Sequence, residues 1–292
     1  MSARPDAAVA KTTVLTLQQK KQSGERISML TAYDYPTARA LEAAGLDALL
    51  VGDSLAMVVL GHESTLAVTM DEMLHHARAV ARGAKRALLV ADMPFMSYQA
   101  ETAEAVRNAG RFLKEAGMDA VKLEGGRDYA DTVRAIVRAG IPVMGHLGLQ
   151  PQSIRRLGGF RAQARTAEAA SDLLADAFAL EAAGCFAVVL ESVPEKVAAA
   201  VTQRLRVPTI GIGAGGGTDG QVLVTHDLLG LCEPIPRFAR RYASLADEIV
   251  RAAAAFRRDV VSGGFPGPGQ SFAIPDEEWG AFLATLEQGS RA

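Results

Sequence analysis

Only two cysteines, Cys185 and Cys232, occur in 292 residues, far apart and without Cys-x-x-Cys spacing. That argues against a disulfide framework or a zinc knuckle and suits a reducing, cytoplasmic setting. Aromatic residues make up 5% of the chain against 49% hydrophobic residues overall, so the core has to be built from Ala, Val and Leu. No apolar run approaches the ~20 residues of a bilayer crossing, and the opening MSARPDAAVAKTT lacks the apolar centre of a secretory signal. A net charge of −2 supplies no basic field for a phosphate backbone or an anionic membrane, which disfavours both as the main partner. No Ser/Gly/Pro linker divides the chain, and the collagen-like, disordered and coiled-coil classes do not fit the composition.

What is present is a slow alternation of short apolar runs, each ending in a polar residue, with longer amphipathic stretches. This pattern reads as repeated βα units. The expected strands are 27–34, 48–53, 87–92, 120–124, 142–146, 187–191, 208–213 and 221–225. Eight is the closure number of a (βα)8 TIM barrel in a single α/β domain. Runs such as ALLVGD, ALLVAD and AVVLES are apolar throughout, as strands covered on both faces are. Residues 102–117 form an expected helix with Ala103, Val106, Gly110 and Leu113 on its apolar stripe. Thr69-Met-Asp-Glu72 has the capping-box form of a helix start. The segments EAAGLDALLVGD, KEAGMDAVKLEGG and EAAGCFAVVLES share a helix end, a glycine, a strand and an acid, one unit used three times.

In such a barrel the carboxyl ends of the strands share one face, and that face holds the site. Asp34, Asp53, Asp92, Glu124, His146 and Glu191 fall there. Five carboxylates at one mouth repel unless a cation sits among them or some are protonated, and oxygen donors without His or Cys spacing favour Mg²⁺. Lys122 faces the same way as Glu124, two residues on. It is either an internal partner of Asp92 or Glu124 or, the reading favoured here, a clamp for an anionic substrate. Asp34 could equally bind metal, pair with an arginine or cap the next helix. His146 is open between orienting a metal ligand and a structural hydrogen bond. TIGIGAGGG (209–217) is similar to a barrel phosphate loop, but a tight turn is the reading favoured here. No role is assigned to His62, His75, His76 or His226, and Cys185 reads as a small core residue.

LTAYDYPTA (30–38), LLVGDSLAM (49–57), GHESTLAVT (61–69), LLVADMPFMSY (88–98), VKLEGG (121–126), GHLGLQPQS (145–153), VLESVP (189–194) and GIGAGGGTDGQ (211–221) resemble, in order, the motifs of the ketopantoate hydroxymethyltransferases. The resemblance spans residues 13–272, leaving 1–12 as a leader and 273–292 as a tail. It implies a TIM barrel that transfers a hydroxymethyl group from 5,10-methylenetetrahydrofolate to 3-methyl-2-oxobutanoate, giving 2-dehydropantoate for pantothenate synthesis. It further implies a Mg²⁺ site at Asp53, Asp92 and Glu124, keto-acid contacts from Asp53, Ser54, Asp92 and Lys122, Glu191 as proton acceptor, and a homodecamer. Ala56, Ala67, Ala164 and Gln270 depart from residues usual in the family, respectively Gly, Pro, Gly and His. Two other readings are a Mg²⁺-dependent 2-oxo-acid lyase or mutase of the isocitrate lyase and phosphoenolpyruvate mutase group, and a non-catalytic anion-binding barrel.

Overall fold

The structure, a computed structural model, describes residues 10–159 and 161–289; most of the expected leader and the last three residues of the tail lie outside them. Contacts divide the chain after Ala243 into two units. In the first, eight parallel strands close into a barrel in chain order. They are β1 Ile27–Thr31, β2 Ala48–Val51, β3 Leu88–Asp92, β4 Ala120–Glu124, β5 Val143–Gly148, β6 Ala187–Glu191, β7 Thr209–Ile212 and β8 Gly220–Leu223. Closure is made by β1 pairing with both β2 and β8. Each expected strand overlaps one of these. The helices are α1 Val14–Ser23, α2 Tyr35–Ala43, α3 Leu55–Val58, α4 Met70–Gly83, α5 Thr102–Ala116, α6 Ala130–Arg138, α7 Ile154–Leu157, α8 Ala167–Ala183, α9 Glu195–Arg204 and α10 Thr225–Leu229. Among the described residues no helix is long and apolar enough to cross a membrane.

Local sequence explains the helix boundaries. Thr69 Oγ1 accepts from the Glu72 N–H while the Glu72 carboxylate accepts from the Thr69 N–H, so the capping box opens α4 as expected. In the repeated unit, Gly45, Gly117 and Gly184 have φ of 78°, 72° and 104°. This left-handed backbone turns each helix into its strand, and glycine adopts it without a Cβ penalty. The stripe expected on α5 is rotated: the buried positions are Ala105, Ala109, Phe112 and Ala116. Val106 and Leu113 lie at its flank, partly buried against the same core. The one aromatic ring of the helix, Phe112, centres the packing, and small alanines beside it let α5 approach the sheet.

Strand alternation sorts the core into two shells. Ala48, Leu50, Leu88, Val90, Ala120, Met144, Ala187, Val189, Ile210 and Val222 fill the barrel interior, joined by Leu17 of α1. Val51, Leu89, Val121, Leu123, Val143, Val188 and Leu190 face the helical ring. At the amino ends of the strands, three aspartates that each directly precede a strand join neighbours. Asp47 accepts from the Ser28 N–H, Asp119 from Leu89 and Asp219 from Thr209. Each is neutralised from the chain's own start, by Lys20 at 2.6 Å, Lys11 at 2.7 Å and Lys21 at 2.7 Å.

The second unit holds α11 Leu245–Ser262 and α12 Asp276–Gly289. Helix α11, with no buried residue, ends on Gly263 at φ 74°, in keeping with its charged, alanine-rich sequence. Phe256 packs edge-on to Phe265, and Trp279 lies against Phe282.

Candidate active site at the carboxyl end of the barrel

The inward sides of β3 to β6 begin apolar and end polar. On β3 the inward series is Leu88, Val90, Asp92; on β4 it is Ala120, Lys122, Glu124; on β5 Met144, His146; on β6 Ala187, Val189, Glu191. The parallel register sets Asp92 beside Lys122 and Glu124 beside His146. Asp53 follows the end of β2, and its backbone N–H donates to Asp92 Oδ2 at 3.0 Å. Lys122 Nζ lies 2.6 Å from Asp92 Oδ1, so the lysine is an internal ion partner in this structure. Ser54 opens α3 and shares a hydrogen bond of 2.8 Å with the Tyr33 hydroxyl. These groups line a cavity of about 1100 Å³. Of the six strand-end residues expected there, five come together. Asp34 does not: β1 ends at Thr31, and the Asp34 carboxylate caps α2 by accepting from the Thr37 N–H at 2.8 Å.

The electrostatics are those of a site holding more acid than its own cation balances. Asp53, Asp92, Lys122 and Glu124 are all buried. Burial, reinforced by the Asp92 charge, pushes the Asp53 carboxyl up to about 7. Burial does the same to Glu191, also up to about 7, against the opposing pull of Lys122. Glu124 is held well above the ordinary carboxylate range by burial and then by Asp53. Burial and the neighbouring Lys122 charge drive His146 well below its usual range, so the ring is neutral. Lys122 Nζ donates to its Nδ1 at 3.2 Å, which leaves the ring proton on Nε2. Nε2 is 3.1 Å from Glu191 Oε2, but off the direction of a hydrogen bond, and has no aligned partner among the described residues.

A divalent cation fits this donor set: buried hard oxygens in excess of positive charge are what Mg²⁺ selects. Among the described residues no three His, Cys, Asp or Glu side chains stand grouped so that they could hold a metal ion by themselves. Substrate and water oxygens would therefore complete the coordination, as is usual for Mg²⁺.

The sequence profile described as ketopantoate hydroxymethyltransferase matches residues 11–268. A 3-methyl-2-oxobutanoate hydroxymethyltransferase of Nitratidesulfovibrio vulgaris (strain DP4) is 53% identical over 289 residues, covering 98% of this chain and 94% of the relative. Another, of Syntrophobacter fumaroxidans, is 59% identical over 254 residues, 87% of this chain and 90% of the relative. The chain belongs to the ketopantoate hydroxymethyltransferase family. It is thus an enzyme of the transferase type. Solved structures carry the same fold at low identity. Phosphonopyruvate hydrolase has a TM-score of 0.60 at 14% identity, with 97% of this chain and 96% of that chain covered. For 2,3-dimethylmalate lyase the TM-score is 0.56 at 17%, with coverage of 94% and 99%.

Two mouth residues carry no sequence expectation of their own. Tyr98 and Gln152 sit in loops after β3 and β5, buried, with their polar ends turned to Glu124 and Asp53. The available signal was their place just beyond strand ends. The glycine-rich loop after β7 turns tightly, with Gly213 and Gly215 at φ 62° and 74°, and packs on Glu195 of α9. Ala164, where the family usually has glycine, has φ 56°. His62 and His75 are exposed, His76 bonds the Tyr33 carbonyl at 2.6 Å, and His226 lies against the Tyr33 ring. Cys185 is buried and its thiol is pushed up to about 12, which makes it inert.

Gly148 shapes the mouth sterically. Its φ is 90°, and a Cβ there would stand 2.2 Å from the Glu191 carbonyl oxygen and 2.7 Å from Val193 Cγ2. Gly148→Ala combines left-handed strain of ~1–2 kcal/mol with a backbone clash, so a loss of about 3 kcal/mol is expected. An unchanged urea midpoint would show that the β5–β6 crossing relaxes without cost.

Proposed function

We propose that this chain transfers a hydroxymethyl group from 5,10-methylenetetrahydrofolate to C3 of 3-methyl-2-oxobutanoate, with water supplying the new hydroxyl oxygen and 2-dehydropantoate and tetrahydrofolate as products. The observation that supports it most is the buried Asp53, Asp92, Lys122 and Glu124 cluster facing Glu191 across one cavity, in a chain 53–59% identical to relatives named for this activity. Asp53, Asp92 and Glu124 are the residues that would hold Mg²⁺. Phosphonopyruvate hydrolase, a barrel of the same fold, has been solved with oxalate and Mg²⁺. Bound Mg²⁺ supplies Lewis-acid polarisation of the keto group, which lowers the barrier to losing the C3 proton.

The chain's own groups do the rest. The ammonium of Lys122 provides the positive end of the site for the substrate carboxylate, and Ser54 and the Asp53 and Asp92 carboxylates contact the keto acid. Glu191, outside the ligand set and pushed up to about 7 by burial, accepts the C3 proton. A carboxylate raised toward neutral pH is a stronger base than an exposed one while still ionised in about half the molecules there. The pair of electrons left at C3 forms the C–C bond to the one-carbon unit, whose two bonds to folate nitrogens break, one replaced by this C–C bond and the other by the C–O bond from water, while the C3 proton and one water proton end on those nitrogens. The neutral His146 ring keeps a second positive charge away from Glu191. Two further parts belong to the proposal: a cytoplasmic location, which the sparse cysteines support, and a homodecamer, which the family resemblance implies.

The assay combines keto acid and methylenetetrahydrofolate with and without EDTA. 2-Dehydropantoate is expected only in the metal-replete sample, with activity restored by added Mg²⁺. Carboxylates must be deprotonated to bind metal, and those of Asp53 and Glu124 are raised, so Mg²⁺ should increase the melting temperature more at pH 8 than at pH 6. Folate-independent lyase activity, or EDTA-resistant turnover, would overturn the reading.

A further inference from the structure

Gln152 makes more contacts at the mouth than any sequence feature suggests. It lies in the turn Pro151–Ser153 after β5 and is buried. Its Nε2 donates to Asp53 Oδ2 at 2.8 Å and to the Met93 carbonyl at 2.9 Å. Its Oε1 faces the Tyr98 hydroxyl at 2.9 Å and accepts from Gln99 Nε2 at 3.0 Å. Its backbone N–H donates to Glu124 Oε2 at 3.0 Å. The Tyr98 hydroxyl also accepts from the Glu124 N–H at 3.1 Å, tying the same group to the end of β4.

A primary amide has two protons and one acceptor oxygen with two lone pairs. Here both protons meet acceptors, and the oxygen accepts from Gln99 Nε2 and faces the Tyr98 hydroxyl, whose one proton is divided between it and the Glu124 carbonyl, so the side chain has one satisfied orientation. Flipping it would set its oxygen against a carbonyl and a carboxylate. From one loop, Gln152 therefore reaches the end of β2, the loop after β3 and the end of β4. Two of its bonds end on carboxylate oxygens, one from each of two acids that would ligate the metal.

We propose that Gln152 is a positioning residue that holds the Asp53 and Glu124 carboxylates at the spacing a shared cation requires. Fixing one oxygen of each carboxylate sets the direction of the other before any ion arrives, the role that outer groups play around metal ligands. The proposal rests on the reading that Asp53, Asp92 and Glu124 hold Mg²⁺.

The test is calorimetric titration of Mg²⁺ into full-length protein without either substrate, beside thermal unfolding. Gln152→Met keeps the length of the side chain and the backbone N–H bond to Glu124, and removes the amide's bonds, the one to Asp53 among them. Gln152→Asn keeps the amide and the backbone N–H but withdraws the amide by one methylene from Asp53. Both are expected to fold and to bind Mg²⁺ ~10–100-fold more weakly, a change that a purely structural role would not produce in a folded variant. If the Met variant does not fold, the Asn variant decides. Wild-type Mg²⁺ affinity in a folded variant overturns the role of Gln152 alone. A wild-type protein that binds no Mg²⁺ overturns the metal reading and this role with it.

Discussion

Asp92→Asn is expected to lower kcat/KM by about a thousandfold, or ~4 kcal/mol at ~1.4 kcal/mol per tenfold. Asp92 ties two parts of the site: one oxygen faces Lys122 Nζ at 2.6 Å and the other accepts from the Asp53 N–H at 3.0 Å. The substitution removes a charge the metal needs and turns one acceptor into an amide. The fold should survive it. Lys122 also feels the charges of Asp53 and Glu124, so its ammonium is not stranded, unlike a buried ion whose sole partner is deleted. Steady-state kinetics across a Mg²⁺ series is the measurement. Near-normal turnover in a folded Asp92→Asn protein would remove this residue from the ligand set.

Glu191→Gln separates proton removal from binding. The amide matches the carboxylate in shape and cannot take a proton, so turnover should fall by ~10²–10⁴-fold, the usual worth of a positioned base. Binding of 3-methyl-2-oxobutanoate should persist. The diagnostic readout is exchange of the C3 hydrogen in D₂O without folate, expected to be lost. Exchange at the wild-type rate would assign the base to another group. The pH dependence follows from the same carboxyl. A base works ionised, and Glu191 is pushed up to about 7, so the wild-type exchange rate should fall as pH drops through about 7. An unperturbed glutamate would keep its rate down to ~4.3. A flat profile between pH 6 and 8 would show that binding the keto acid returns Glu191 to the ordinary range.

The barrel was legible because strands covered on both faces are written as continuous apolar runs, and ALLV, LLVAD and AVVLE needed no context. The mouth was legible for a related reason: an acid closing an apolar run at an inward position has few structural explanations. Asp34 escaped that logic because β1 stops at Thr31, and an aspartate before Pro36 serves the helix start equally well. The α5 stripe was misplaced because a helix of alanines with one phenylalanine has a broad apolar arc, and packing around Phe112 selects its centre. Gln152 and Tyr98 carried no periodic signal, since polar loop residues acquire their meaning from what the turn brings near them. The ion pairing of Lys122 with Asp92, open between two acids on spacing alone, was settled by the register of β3 and β4.

Acids stand at both ends of this barrel under opposite arrangements. Asp47, Asp119 and Asp219 knit adjacent strands, and the chain brings its own lysines to each of them. Asp53, Asp92, Glu124 and Glu191 share one lysine and leave charge unmatched. Shape is secured at one rim and reactivity is lodged at the other. An exchange of one of these mouth acids thus changes the chemistry without loosening the hoop, which is why the Asp92 and Glu191 variants are expected to report on catalysis rather than collapse.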